Sequence, residues 1–231
     1  NNVIAFLENM KSIYPLRPGF RASQMFDFSF DPSVSDMFFT WNLGGVLCVP
    51  SEDEMMVPYD FIRREKINYW NSVPSIIGFM QKMGFLSSGA FPSLEYSMFC
   101  GEQFTKRYAD AWMVAAPNST IENLYGPTEA TIYTSRYLYP KEKVGNFFCN
   151  DIIPIGNPLP NMKIKVINDR LHKVNANDIG ELVYKGPQIT DGYLNDQEKT
   201  ELVFVRFDWD KSGDIWYKSG DLGFYNKEGN L

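Results

Sequence analysis

The run Asn123-Leu124-Tyr125-Gly126-Pro127-Thr128-Glu129-Ala130-Thr131 sets an aromatic ring, a Gly-Pro turn, a hydroxyl and a carboxylate in immediate succession. It follows the strand-like Ser119-Thr120-Ile121-Glu122. Those side chains suit a nucleotide. A tyrosine ring can stack on a base, worth on the order of 1–3 kcal/mol. A turn can aim a backbone N–H and the Thr128 hydroxyl at phosphate oxygens. Glu129 can hold Mg²⁺, which takes oxygen ligands beside substrate phosphates. Taken alone, the run also reads as a Gly-Pro turn with a partly buried tyrosine. Three further segments accompany it. Phe30-Asp31-Pro32-Ser33-Val34 lies upstream, Gly180-Glu181-Leu182-Val183 through Gly186-Pro187 to Gly192-Tyr193-Leu194 downstream, and Tyr217-Lys218-Ser219-Gly220-Asp221-Leu222-Gly223 near the end.

Composition narrows the chemistry. The chain has 231 residues, 44% of them hydrophobic, enough for a substantial core in one or two domains. Its net charge of -6 is the reverse of what a sequence-independent nucleic-acid binder shows. Cys48, Cys100 and Cys149 are odd in number and widely spaced, which fits neither a disulfide framework nor a zinc site and points to a reducing, cytoplasmic setting. No apolar run is long enough to span a membrane. His172 is the single histidine. That excludes multi-histidine metal sites, and a Ser-His-Asp hydrolase too unless His172 is the base. Its setting, Asn168-Asp169-Arg170-Leu171-His172-Lys173, reads as an exposed turn between strands.

The elements that must position these residues alternate in character. Val3, Phe6, Leu7, Met10 and Tyr14 recur at helical spacing, and Phe26, Phe28 and Phe30 at the period of a half-buried strand. Asp31-Pro32-Ser33 offers helix-start chemistry before Val34, Met37, Phe38 and Trp41, and Gly44-Gly45 is placed to end that helix. Val46 to Val49 reads as a strand, Tyr59 to Glu65 as a helix and Asn68 to Ser72 as a strand. Pro74 then opens a helix, Leu94 to Cys100 reads as a strand, and Phe104 to Ala115 as a helix. Such alternation predicts an α/β layer with largely parallel strands over residues 1–150. From 151 to 231, alternation across Met162 to Ile167 and Glu181 to Tyr184, with closely spaced turn signals, predicts a small antiparallel β unit interrupted by a helix at Gln197 to Val203.

In their order and spacing, the four segments resemble the core motifs of the adenylate-forming superfamily, which includes nonribosomal-peptide adenylation domains, acyl-CoA synthetases and luciferases. Phe99-Cys100-Gly101-Glu102, Ser72-Val73-Pro74-Ser75 and Gly192-Tyr193-Leu194-Asn195 are most similar to D-alanine–carrier protein ligases. The resemblance implies an acetyl-CoA-synthetase-like fold: a parallel-rich sheet with flanking helices in 1–150, holding the amino-acid pocket and part of the ATP site, then a β-rich, barrel-like subdomain in 151–231. It implies activation of an amino-acid carboxylate by ATP, with Mg²⁺, to an aminoacyl-adenylate. The acyl group then passes to the phosphopantetheine thiol of a carrier protein, with no nucleic acid or membrane involved. By the same resemblance Asp31 pairs with the substrate's ammonium, its alternative being a helix cap. Pro32, Ser35, Asn71, Met98, Cys100, Leu124, Ile132 and Tyr133 line the side-chain pocket; Cys100 reads equally as a small buried apolar residue. Gly101, Glu102, Asn123, Tyr125 and Gly126 serve the base. Thr128 meets phosphate, Glu129 holds the metal and Asp221 takes the ribose hydroxyls, Thr128 and Glu129 being the catalytic pair.

Two parts of the family pattern, a Gly/Ser/Thr-rich phosphate loop ending in lysine and a C-terminal lid with its own lysine, are expected outside residues 1–231. Asn1-Asn2-Val3 likewise reads as the inside of something longer, so the chain is expected to be a fragment that does not turn over alone. The alternatives are an acyl- or aryl-acid CoA ligase, which has no use for Asp31, and a non-catalytic nucleotide-binding module.

Overall fold

The computed structural model describes residues 1–141 and 148–231. In chain order the first elements are α1 (Asn2–Ile13), β1 (Arg21–Ser23), α2 (Pro32–Asn42), β2 (Val46–Cys48), α3 (Glu52–Met56), α4 (Tyr59–Arg64) and β3 (Tyr69–Ser72). There follow α5 (Ser75–Lys82), β4 (Tyr96–Phe99), α6 (Lys106–Ala115), β5 (Thr120–Tyr125), β6 (Ser135–Leu138) and β7 (Asn157–Pro158). The last are β8 (Lys163–Ile167), β9 (Gly180–Lys185), α7 (Gln197–Val203), β10 (Phe204–Val205) and β11 (Trp216–Gly223). These pack as two units, Met10–Leu124 with Tyr137–Pro154, and Asn1–Asn9 with Tyr125–Arg136 and Ile155–Leu231.

The first unit is a parallel sheet in the order β2-β1-β3-β4-β5. Side chains alternate across it. Trp70 enters a core with Phe61, Ile77, Phe91, Phe99, Phe104 and Trp112, where the Trp70 and Trp112 rings stack 6.0 Å apart. Its neighbour Tyr69 enters a second aromatic layer with Tyr14, Phe20 and Phe39. On the Tyr69 side, the register sets Asn71 beside Met98 and Met98 beside Glu122. Parallel strands covered on both faces read as continuous apolar runs, so a polar row here is a departure that asks for a reason.

Local chemistry explains the helix ends. Pro32 occupies the first turn of α2, and the N–H groups of Gly44 and Gly45 close its far end on the carbonyls of Trp41 and Thr40. Ser51 and Glu54 form a reciprocal capping box that starts α3, a helix with no buried residue and hence no apolar stripe to announce it. The expected strand over Phe26, Phe28 and Phe30 does not exist. Asp27 accepts from both the N–H and hydroxyl of Ser29, and Phe30 N–H closes on the Asp27 carbonyl. This local side-chain turn outcompetes extended pairing and leaves Phe28 and Phe30 exposed.

The second unit holds the antiparallel pair β6–β7 and an antiparallel sheet in the order β10-β11-β9-β8. Both faces of that sheet are apolar. Ile164, Val166, Leu182, Tyr184 and Tyr217 pack on one side, and Ile167, Val183, Phe207 and Trp216 on the other. His172 lies exposed in the β8–β9 connection, its carbonyl accepting from Asn168 N–H.

Trp112 is fully buried and its indole N–H has no hydrogen-bond partner. Trp112→Ala should therefore cost about 3–5 kcal/mol in urea unfolding. Trp112→Phe should cost clearly less, because it deletes the same unsatisfied donor but keeps an aromatic ring in the core. Equal losses for the two variants would show that the packed ring is not what the site contributes.

Candidate functional site

In the α/β unit, Asp31 stands at the head of α2 with helical backbone angles (φ -65°, ψ -22°) and makes no side-chain capping bond. The N–H groups of Ser33 and Val34 close on the carbonyls of Phe30 and Asp31 instead. The cap alternative for Asp31 is thus not realised. Pro32 and Ser35 follow on the same helix. Next to Ser35, Asp36 is 1% exposed, and its carboxyl accepts from Asn71 Nδ2 at 2.7 Å. Burial raises the Asp36 carboxyl well above its ordinary value, and the bonds from Asn71 and from the Met25 backbone only partly offset this. Asn71, Met98, Cys100 and Leu124 are all buried. Glu122, beside Met98, is also buried and accepts from the Tyr14 hydroxyl at 2.8 Å. A polar layer runs through the interior here, between α2 and the middle of the parallel strands.

The same unit places three nucleotide candidates. Gly101 and Glu102 are exposed just past β4, and Glu102 accepts from the Ser75 N–H at 3.0 Å and the Ser75 hydroxyl at 3.1 Å, capping α5. Asn123 is buried, and its Nδ2 donates to the carbonyls of Ile153 (3.1 Å) and Pro154 (2.9 Å). Two acceptors on one side fix the amide's orientation, so Oδ1 is presented as an acceptor.

The other unit brings the remaining motifs together. The Tyr125 hydroxyl donates to Asp221, 96 residues away in sequence. Burial, and then the Asp221 carboxylate, push the Tyr125 phenol above its usual range, so it stays a donor. Tyr125 also stacks on Tyr184, with centroids 6.4 Å apart. Asp221 is exposed because β11 bulges between Lys218 and Leu222. Gly220 sits there at φ +78°, its N–H donating to Glu181, while the Ser219 hydroxyl donates to the Leu182 carbonyl. A bulge of this kind re-aims a side chain out of the ladder. Glu129 lies in the short 3-10 turn Thr128–Ala130, with Thr128 exposed beside it. Its carboxylate accepts from the Tyr193 hydroxyl, which burial and that carboxylate push upward in pKa.

Between Glu129 and β6 the backbone is strained. Thr131 and Ile132 are both β-branched and both left-handed, at φ +58° and +71°. Each such residue costs on the order of 1–3 kcal/mol. Ile132 and Tyr133 are nonetheless buried, at 2% and 1% exposure. A Cβ at Gly126 would stand 2.1 Å from the Ile132 carbonyl oxygen, so only glycine fits.

Asp36, Glu122, Tyr193 and Gln188 were not singled out as site residues from the sequence. Asp36 carried a signal, since its place with Ser33, Phe39 and Thr40 on the inner face of α2 puts a carboxylate where an apolar residue belongs. No group of three or more metal-ligating side chains exists among the described residues. The donor set at Glu129 is therefore one carboxylate, with one oxygen already accepting from Tyr193. That fits Mg²⁺ shared with a substrate's phosphates and does not fit an all-protein metal cage.

Residues 1–194 match the family described as AMP-binding enzyme. The chain is 29% identical to D-alanine–D-alanyl carrier protein ligase of Lacticaseibacillus casei, covering 100% of itself and 45% of that protein. It is 27% identical to malpinin synthetase of Mortierella alpina, covering 99% of itself and 3% of that protein. The crystal structure of the Vibrio cholerae adenylation domain AlmE in complex with glycyl-adenosine-5'-phosphate is similar at a TM-score of 0.90 and 29% identity, over 100% of this chain and 43% of that one. The chain spans less than half the length of these curated relatives. No helix among the described residues is long and apolar enough to cross a membrane.

Two outcomes follow from the geometry. Gly126→Ala should disrupt the turn and lower the thermal midpoint by several degrees, a shift typical of more than 1 kcal/mol; an unchanged midpoint would mean that the turn relaxes freely. Asp36 binds its proton more tightly in the folded than in the unfolded chain. The stability it contributes is complete below its ordinary value of 3.8 and is lost as pH climbs toward the raised folded-state value. The stability of Asp36→Asn relative to the parent should accordingly increase as pH rises above about 4 in denaturant titrations. A flat difference would contradict a desolvated carboxyl.

Proposed function

The chain belongs to the AMP-binding enzyme family, with the fold of part of the large domain of adenylation enzymes, and we propose that it forms the amino-acid pocket and part of the ATP site of an amino-acid adenylating ligase. The reaction is attack of an amino-acid carboxylate oxygen on the α-phosphorus of ATP. The new O–P bond gives an aminoacyl-adenylate, and the bond to pyrophosphate breaks. The phosphopantetheine thiol of a carrier protein then attacks the acyl carbon: a C–S bond forms, the C–O bond to AMP breaks, AMP leaves and the thiol proton is lost.

The observation that carries this reading is the meeting of separate sequence segments on one set of hydrogen bonds. Tyr125 bonds Asp221, and Tyr193 bonds Glu129. In this reading Asp221 presents two oxygens to the ribose hydroxyls, and the Tyr125 ring covers the base. Gly101 and Glu102 run along its edge, and Asn123 Oδ1 accepts from its exocyclic amine. Thr128 meets phosphate across the turn at Gly126. Glu129 holds Mg²⁺, which when bound supplies positive charge to the triphosphate.

Asp31 pairs with the substrate's ammonium, a partner without which a buried cation costs several kcal/mol. Pro32, Ser35, Asn71, Met98, Cys100, Leu124, Ile132 and Tyr133 wall the side chain. On this reading the bulk of Met98, Leu124 and Tyr133 suits a small or medium substrate side chain. The relatives named for D-alanine and glycyl-adenylate point the same way.

The test is pyrophosphate exchange across a panel of amino acids and simple acids, run on the full polypeptide that carries this chain. Exchange with small amino acids is expected; exchange with simple acids alone would make it an acyl- or aryl-acid ligase. Asp31→Ala should raise the amino-acid KM by about tenfold or more while the ATP KM stays within about twofold. Asp221→Ala should do the converse, weakening ATP by about tenfold. Parallel losses for both ligands in both variants would remove the assignment of separate roles.

A further inference from the structure

The strained turn that carries Ile132 and Tyr133 is gripped by one buried side chain. Gln188 is 0% exposed. Its Nε2 donates to the carbonyls of Tyr133 (2.8 Å), Thr131 (3.2 Å) and Ala130 (3.3 Å), and its backbone carbonyl accepts from the Thr131 hydroxyl. An amide NH₂ has two hydrogens, so three carbonyls share them. The orientation of the amide is fixed from behind, since Asn9 Nδ2 donates to Gln188 Oε1 at 2.6 Å and Asn161 donates to Asn9 at 3.2 Å. Asn2 Nδ2 donates to the carbonyls of Pro187 (3.2 Å) and Ile189 (2.6 Å), pinning the backbone on either side of Gln188. Between the two asparagines, Phe6 meets the Tyr133 ring edge-on at 5.9 Å. Asn2, Phe6 and Asn9 stand on one face of α1 by helical spacing.

We infer that Gln188, oriented by Asn9, is a positioning residue that holds the turn 130–133 in its left-handed shape and so sets the amino-acid pocket wall. The link to substrate rests on the proposed reading of Ile132 and Tyr133 as pocket residues; the grip itself rests on geometry alone. Three carbonyls drawn to one donor give a strained turn a single conformation that two β-branched residues would otherwise abandon. A residue whose role was only to fill space would make no such demand on hydrogen-bond donors.

The test uses Gln188→Leu, which keeps bulk and removes the donors, and Asn9→Asp, which is nearly isosteric and places a carboxylate against Gln188 Oε1. Hydrogen exchange of the amides in 126–136 should accelerate by about tenfold or more in both variants, while Lys163–Ile167 stays protected. In pyrophosphate exchange, the amino-acid KM should rise by about tenfold with the ATP KM within about twofold. Should Gln188→Leu fail to fold, Asn9→Asp decides alone. Unchanged exchange in 126–136 would overturn the grip, and equal changes in both KM values would overturn its link to the pocket wall. Absence of any amino-acid-dependent turnover in the parent would instead sink the proposed function, and with it the pocket link, leaving the grip to be judged by hydrogen exchange.

Discussion

Two stretches of backbone, at Gly126 and at Ile132, approach within a distance that no side-chain carbon tolerates. That contact obliges the chain after β5 to reverse in a left-handed turn, and the reversal is what brings Thr128 and Glu129 out beside Tyr125. The cost is two β-branched residues in an unfavourable conformation. The return comes from hydrogen bonds. Thr134 N–H closes on the Tyr125 carbonyl at 2.8 Å, and Leu159 N–H on the Thr134 carbonyl at 2.7 Å, so the strained segment is bracketed by regular pairing. Pre-organised geometry of this sort removes reorganisation from the binding step.

The α/β unit uses the opposite device. Its sheet is conventional in topology, yet its Tyr69 face carries Asn71 and Glu122 against Asp36 and the Tyr14 hydroxyl. Buried polar groups add little net stability even when paired, and an unpaired one costs about 1–3 kcal/mol. Such a layer is held in place by its own hydrogen bonds rather than by apolar packing. The apolar face across the sheet, with Trp70, Phe99, Phe104 and Trp112, supplies the burial that tolerates it.

Much of the architecture was legible where local signals agree with tertiary demands. The helix over Gln197–Val203 was readable because Asp196 caps it, accepting from Lys199 N–H at 3.0 Å, and the turn residues before it are polar. Phe26, Phe28 and Phe30 misled because period two is also what a tight Asp-Ser turn produces when no partner strand is present. The α3 helix hid for the reverse reason, since its capping box has no buried stripe behind it. Among the candidate site residues, Tyr125, Glu129 and Asp221 were recognisable as short motifs. Gln188 was not, because its meaning lies in Asn9, 179 positions away, and no local pattern records a pairing of that separation.

On the proposed reading, Asn123 has its selectivity set at a distance from the ligand. The carbonyls of Ile153 and Pro154 take the amide nitrogen of Asn123 and leave its oxygen as an acceptor. On the proposed reading, that oxygen welcomes the amino group of adenine and opposes the keto oxygen of guanine. Discrimination between the two purines would then be written by a pair of peptide groups about thirty residues downstream that never touch either base.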